Sequence, residues 1–162
     1  MAYRDLKEFI ARLKEAGELK EISRPVDPHL EITEIADRAV KRGGPALLFT
    51  NVTGHSMPVL INAFASRRRM ELALETDDID AIAAEIDALL TPEVPRSVLD
   101  KLKMIPVLAR LQDLAPREVR SGPCQEIVRT EDASLDELPI ITCWPGDGGP
   151  YITLGQVFTR HP

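Results

Sequence analysis

Hydrophobic positions along this chain alternate between a helical spacing and short unbroken runs. Leu6, Phe9, Ile10 and Leu13 recur three and four residues apart among Arg, Lys and Glu, so residues 4–16 are expected to form an amphipathic helix closed by Gly17. Leu19 to Ile22 reads as a short strand. Ile32, Ile35, Ala36, Ala39 and Val40 make a second helical stripe. Asp27-Pro28 predicts its start, with Asp as N-cap and Pro in the first turn, and Gly43-Gly44-Pro45 predicts its end. Ala46 to Thr50 and Pro58 to Asn62 are apolar runs on either side of a polar turn, as expected of paired strands. Ser66 caps a short helix over Arg67 to Leu74. Asp78 to Leu90 carries Ile79, Ile82, Ala83, Ile86, Leu89 and Leu90 on one stripe and predicts a further helix.

The pattern changes after residue 90. Pro92, Pro95 and Pro106 break helices, leaving room for a short one over Val98 to Met104 and a turn or two over Val107 to Leu114, before Pro116. Residues 91–122 therefore read as a segment crossing between two units. Cys124 to Arg129 and Leu138 to Thr142 are expected strands, separated by the polar Thr130-Glu131-Asp132. A dense turn follows at Pro145-Gly146-Asp147-Gly148-Gly149, since Gly supplies positive φ and Asp bonds nearby backbone. Tyr151 to Thr159 is β-branched and aromatic, as a strand would be. The fold class expected is α/β, with residues 1–122 as an N-terminal domain and residues 123–162 opening a β domain.

Composition narrows the functional classes. The 162 residues are 44% hydrophobic but only 4% aromatic, so the core has to be aliphatic, and a globular domain is affordable at this length. A net charge of −6 argues against nucleic acid as the main partner. Eight carboxylates fall between Arg69 and Arg96 with no Lys or Arg among them: Glu71, Glu75, Asp77, Asp78, Asp80, Glu85, Asp87 and Glu93. They form a solvated helix face, a docking face for a basic partner or a cation site. Cys124 and Cys143 show no metal or redox spacing, and a reduced, cytoplasmic protein is expected. No apolar run is long enough to span a membrane, and no signal peptide is expected from a charged, amphipathic start.

Candidate chemistry is sparse. No G-x-G-x-x-G is present and no Lys follows the glycines, so neither a dinucleotide fingerprint nor a P-loop can be read. His29, His55 and His161 lie at no metal-ligand spacing. Ser66-Arg67-Arg68-Arg69 could hold a phosphate at a helix start or simply be solvated. Asp147 could serve as acid, base or metal ligand, or close an Asx-type hydrogen bond. Glu126, Asp132, Asp136 and Glu137 show no pairing suited to acid–base work. The glycine-rich turn is a ligand loop or an ordinary hairpin connection. The residues by themselves assemble no complete active site.

Several stretches in order nevertheless match one family. These are Leu6-Lys7-Glu8-Phe9-Ile10 through Gly17-Glu18-Leu19, Val26-Asp27 with Glu31-Ile32-Thr33-Glu34-Ile35, and Gly44-Pro45-Ala46-Leu47-Leu48-Phe49-Thr50-Asn51-Val52. The fourth is Leu138-Pro139-Ile140 through Cys143-Trp144-Pro145-Gly146-Asp147-Gly148-Gly149 to Tyr151-Ile152-Thr153. Over essentially its whole length the sequence resembles the N-terminal part of the UbiD family of prenylated-flavin-dependent decarboxylases. The resemblance implies an N-terminal α/β domain, a central split β-barrel that binds the flavin, and a C-terminal domain used in oligomer assembly. This chain would supply the first domain and the first strands of the barrel.

The resemblance also implies the chemistry. A full-length member would remove CO2 from an aromatic, hydroxybenzoate-type or α,β-unsaturated acid, using prenylated FMN with Mn2+ and, as a further candidate cation, K+. A flavin prenyltransferase would supply the cofactor, and the enzyme would be a homo-oligomer. The family's catalytic Arg and acidic residues and its metal-binding Asn and Glu are expected beyond residue 162, so no catalytic or metal residue is assigned here. Thr153 alone matches a cofactor-adjacent position, a Thr on the barrel strand beside the flavin; its hydroxyl could equally satisfy a strand-edge carbonyl. The 162 residues alone are expected to be inactive and not to hold the cofactor. The alternative is a non-catalytic subunit or assembly module related to the family. A free-standing flavin barrel is a poorer reading, because most strands would be missing and open edges left.

Overall fold

In a computed structural model, residues 3–91, 118–153 and 155 are described. The expected strands Leu19–Ile22 (β1), Ala46–Phe49 (β2) and Val59–Ile61 (β3) form one sheet in the order β1-β2-β3. β1 and β2 pair in parallel, Leu19 against Ala46, with helix Glu31–Lys41 (α2) as the crossover between them. β2 and β3 are antiparallel, Leu48 against Leu60, joined by the short polar turn that the sequence announces. All four residues of β2 are buried, as a central strand covered on both faces requires.

Alternation along the strands sorts their side chains into two clusters. Leu47 and Phe49 face Ile32 of α2, with Val59, Ile61 and Ile22 beside them. Ala46 faces Phe9 and Leu13 of helix Leu6–Glu15 (α1) and Leu72 of helix Arg67–Leu74 (α3), with Leu60 and Leu19 on that side. Phe49, Leu13 and Ile32 are the largest fully buried side chains. Asp5 caps α1, accepting from Glu8 N at 2.9 Å, and Ser66 caps α3, accepting from Arg69 N at 3.2 Å.

The start of α2 departs from expectation. Asp27 does not cap it: the helix begins at Glu31, with Leu30 at the N-cap position and no side-chain cap. Asp27 Oδ1 instead accepts from His29 N at 2.7 Å, while Glu31 Oε2 accepts from Asp27 N at 2.7 Å. Residues 28–30 cannot coil because their backbone is engaged by Thr142, as described below.

The chain divides into two units, residues 1–77 with 134–162, and residues 78–133. The second carries helix Ile79–Leu90 (α4), capped by Asp78, which accepts from Asp80 N at 3.0 Å. No residue of α4 is buried, and Leu90 is 75% exposed. Cys124 to Arg129 is not a strand. Gly122 and Pro123 start a 3-10 turn over Pro123–Gln125, and Ile127 and Val128 are exposed, with no strand among the described residues paired to them. Leu138 to Thr142 is likewise not a full strand: a 3-10 turn over Leu135–Glu137 leads to single bridges at Ile141 and Thr142. The expected helices over Val98 to Met104 and Val107 to Leu114, and positions 154 and 156–159 of the last expected strand, lie outside the described residues. The structure is thus a mixed helix and sheet fold, and the described residues contain one small sheet.

Candidate functional site

The Cys143–Gly149 turn is held from both ends. Before it, Thr142 bridges in parallel to His29: Leu30 N donates to Thr142 O at 3.0 Å and Thr142 N to Pro28 O at 3.2 Å. Thr33 Oγ1 adds a longer contact to the same carbonyl at 3.4 Å. Ile141 and Cys143, on either side of Thr142, insert into the cluster around Phe49 and Ile32. This is the alternation of a strand edge, with one residue spent on backbone pairing and its neighbours on burial.

Beyond the turn, Tyr151 forms an antiparallel bridge to Ile141, its N–H donating to Ile141 O at 3.1 Å. The loop between them is tied by Asp147. Its Oδ2 accepts from Trp144 N at 2.9 Å and from Cys143 N at 3.2 Å, and its own N–H donates to Trp144 O at 3.1 Å. The carboxylate reaches back along the chain rather than forward, and the turn is fixed by a knot of three hydrogen bonds. Of the alternatives open for Asp147, the structural one is what the geometry shows.

Side chains around the knot are mostly open. Trp144 is 56% exposed, and a Cβ placed on Gly146 or Gly148 would meet nothing within 4 Å. Gly149 sits at φ 153, where a side chain is poorly accommodated. The Tyr151 phenol is held above its ordinary pKa, first by hydrogen bonding toward the Cys143 side chain, with desolvation and the nearby Asp147 charge acting in the same direction. Thr153 is exposed and lies two residues past the Tyr151 bridge.

The other candidates disperse. His29 is exposed and contributes its backbone, His55 is half-buried in the β2–β3 turn, and His161 is outside the described residues. Arg67 and Arg68 lean on Glu71 at 3.1 and 3.8 Å. Arg69 is neither solvated nor free for an anion: it is buried against Glu18 at 2.8 Å. A cavity of about 470 Å3 between α1 and α3 is bordered by Glu8, Arg12, Glu15, Arg68, Glu71 and Asp77, and it is ringed by ion pairs rather than by apolar walls.

Neither a flavin phosphate nor a divalent metal is fitted by the described residues alone. The one carboxylate in the turn is occupied by backbone amides, and residues 140–153 include no Lys or Arg. No group of three His, Cys, Asp or Glu among the described residues could hold a metal. The turn offers an open backbone edge beside an exposed indole, one wall of a site at most. No helix among them is long and apolar enough to cross a membrane. Sequence reasoning missed the Thr142 docking and the buried Arg69. For the first, the Leu138-Pro139-Ile140 run was the available signal; for the second there was none.

Comparisons with known proteins place these features. The family model of the 3-octaprenyl-4-hydroxybenzoate carboxy-lyase N-terminal domain matches residues 10–89, and that of the Rift-related domain of the same carboxy-lyase matches residues 117–162. An uncharacterised protein of Aquifex aeolicus (strain VF5) is 46% identical over 162 residues, which cover 99% of this chain and 33% of that one. The UbiD-class enzyme HmfF from Pelotomaculum thermopropionicum, solved with FMN, is 28% identical with a TM-score of 0.65, over 91% of this chain and 29% of its own. An evolved dimeric form of HmfF with prFMN gives 0.54 at 28% identity, over 93% and 31%. The vanillic acid decarboxylase of Sedimentibacter hydroxybenzoicus in its open form gives 0.69 at 26% identity, over 94% and 30%. The chain therefore spans about a third of the length of these relatives.

Proposed function

Because this chain belongs to the UbiD family of carboxy-lyases, with both the N-terminal and the Rift-related models matched in order, we propose that it is the N-terminal part of a prenylated-FMN-dependent decarboxylase. The reaction proposed for the whole enzyme is reversible, non-oxidative loss of CO2 from an aromatic, hydroxybenzoate-type or α,β-unsaturated acid. Flavin binding is supported by HmfF, solved with FMN and with prFMN. A requirement for Mn2+, a flavin prenyltransferase that supplies the cofactor, a homo-oligomeric assembly and a cytoplasmic location belong to the same proposal.

One observation carries the reading: the segment matching the Rift-related domain is not a free appendage. Its Ile141, Thr142 and Cys143 are built into the core of the α/β unit. In this proposal residues 1–122 are the N-terminal domain and residues 123–162 begin the cofactor domain. The α/β unit is then the fixed base from which the glycine-rich turn is presented, with Thr153 close to the flavin. The chemistry would be the cofactor's, and this part of the protein would orient the domain that holds it.

The test is co-expression with a flavin prenyltransferase, once for the 162 residues and once for the continued reading frame. The expected result is a colourless, inactive short chain and a flavin-bearing longer product that decarboxylates a hydroxybenzoate-type acid. A coloured, active short chain, or a longer product without flavin, overturns the proposal. A second reading, an assembly module, is favoured by α4, whose stripe leaves Ile86 and Leu90 exposed beside the acidic face. It predicts a stoichiometric complex in native mass measurements, and a monomer would dismiss it.

A further inference from the structure

Leu30 occupies backbone space that a residue with a Cβ rarely adopts. Its φ is 68 and its ψ −34, and Glu31 N donates to His29 O at 2.9 Å, closing a three-residue γ-turn of the positive-φ kind. Such turns are uncommon and strained outside glycine, and they persist only where surrounding contacts impose them. Here two of those contacts come from a segment more than a hundred residues away in sequence, besides the local bonds of Asp27 and Glu31. Leu30 N donates to Thr142 O, and Thr142 N returns to Pro28 O, so one short strap grips the backbone on both sides of His29 and fixes the N–H of the strained residue. Leu30 O, on the other side, accepts from Glu34 N of α2 at 2.9 Å.

The strap does not end at Thr142. Cys143 follows it into the core, and the next backbone groups, Cys143 N and Trp144 N, are both held by Asp147. Strap and glycine-rich turn are therefore one mechanical piece. Ile32, two residues past Leu30, is fully buried in the cluster that receives Ile141 and Cys143. Strain at Leu30 thus sits at the joint between the helix start and the docked strap.

We propose that Leu30 and the Ile140–Cys143 strap form a strained latch. Docking of the strap forces Leu30 to positive φ; relaxation of Leu30 to negative φ withdraws the Thr142 partner and frees the glycine-rich turn as a unit. The latch sets whether the turn is held against the α/β unit or released, and Leu30 is a positioning residue. The inference is independent of the decarboxylase proposal, because it concerns a local opening of this chain that needs neither cofactor nor substrate.

The test is amide hydrogen exchange on the full 162-residue chain, together with peptide-resolved alkylation of Cys143. The Leu30 and Thr142 amides should exchange through one shared opening, faster than the amides of the central strand β2. L30G and L30A both lack the Leu side chain, so comparing them isolates the backbone. The γ-turn suits glycine, and L30G should open about fivefold less often than L30A in both exchange and alkylation. Equal or faster opening in L30G overturns the latch. So does finding that the Leu30 and Thr142 amides exchange only with β2, because the strap would then open only when the whole unit unfolds.

Discussion

Arg69 of α3 donates from Nη1 to Glu18 Oε2 at 2.8 Å, joining α3 to the residue before β1 in a pair whose Arg side chain is 3% exposed and whose Glu side chain is 27% exposed. Ser66 positions the first turn of α3, and the turn carries Arg69 inward while Arg67 and Arg68 stay outside. The asymmetry in burial makes the two halves of the pair unequal. Removing the carboxylate strands a buried guanidinium, whose Nε already has no hydrogen-bond partner among the described residues. Glu18→Ala is expected to destabilise by about 3 kcal/mol, and Arg69→Met by less, since Met fills the space and the remaining carboxylate reaches water. Urea denaturation of the two variants checks the order, and a larger loss for Arg69→Met contradicts it.

Phe49 and Leu13 belong to opposite faces of the sheet, and their truncations should separate the two clusters. Phe49→Ala is expected to cost about 3–5 kcal/mol and Leu13→Ala about 2–5 kcal/mol. Only the first opens space beside Ile141 and Cys143. Native-state alkylation of Cys143 should accelerate in Phe49→Ala and stay near the parent rate in Leu13→Ala. Equal acceleration in both would mean that the clusters are not independent.

The sheet and the helices against it were legible because their signals are local. Leu47 and Phe49 alternate with Ala46 and Leu48 in a run without polar interruption, and Ser66 and Asp78 announce the helices they cap. The start of α2 was misread because a distant carbonyl, Thr142 O, outcompetes the local Asp27-Pro28 signal for Leu30 N. Ile127 and Val128 look like a strand in sequence, but pairing is a property of neighbours, and no described strand lies alongside. For the candidate site, Asp147 was identifiable from its glycine neighbours. Its backward reach to Cys143 N and Trp144 N depends on the bridge between Ile141 and Tyr151, which no spacing rule reveals. The most specific of the stretches that carried the family resemblance includes the same turn, and the matched Rift-related segment contains it.

Asp147 holds two amides with one oxygen, so its replacement has a defined signature. Asp147→Ala is expected to cost about 1–3 kcal/mol locally, because two N–H groups lose a charged acceptor. Asp147→Asn keeps an acceptor without the charge and should cost less. Trp144 is the only Trp, so its emission reports the turn directly. A changed emission with far-UV circular dichroism preserved is the expected outcome for Asp147→Ala. Unchanged emission and unchanged exchange at Cys143 and Trp144 would show that the knot does not hold the turn.

Tyr151 gives the turn a pH signature at the alkaline end. Hydrogen bonding toward the Cys143 side chain, with desolvation and the negative charge of Asp147, raises its pKa above the ordinary 10.0. A phenol whose pKa is raised on folding binds its proton more tightly in the native state. Its contribution to stability is therefore complete below about pH 10 and is lost as pH rises through the higher folded value. Tyr151 should titrate later than a free tyrosine when followed by its ring carbon resonance, and Cys143→Ala should bring it back toward the ordinary value. The bridge from Tyr151 N to Ile141 O does not depend on the hydroxyl, so Tyr151→Phe should keep the turn folded while removing this alkaline dependence. An ordinary titration of Tyr151 in the parent chain, or no response to Cys143→Ala, would rule out the sulfur contact as the cause.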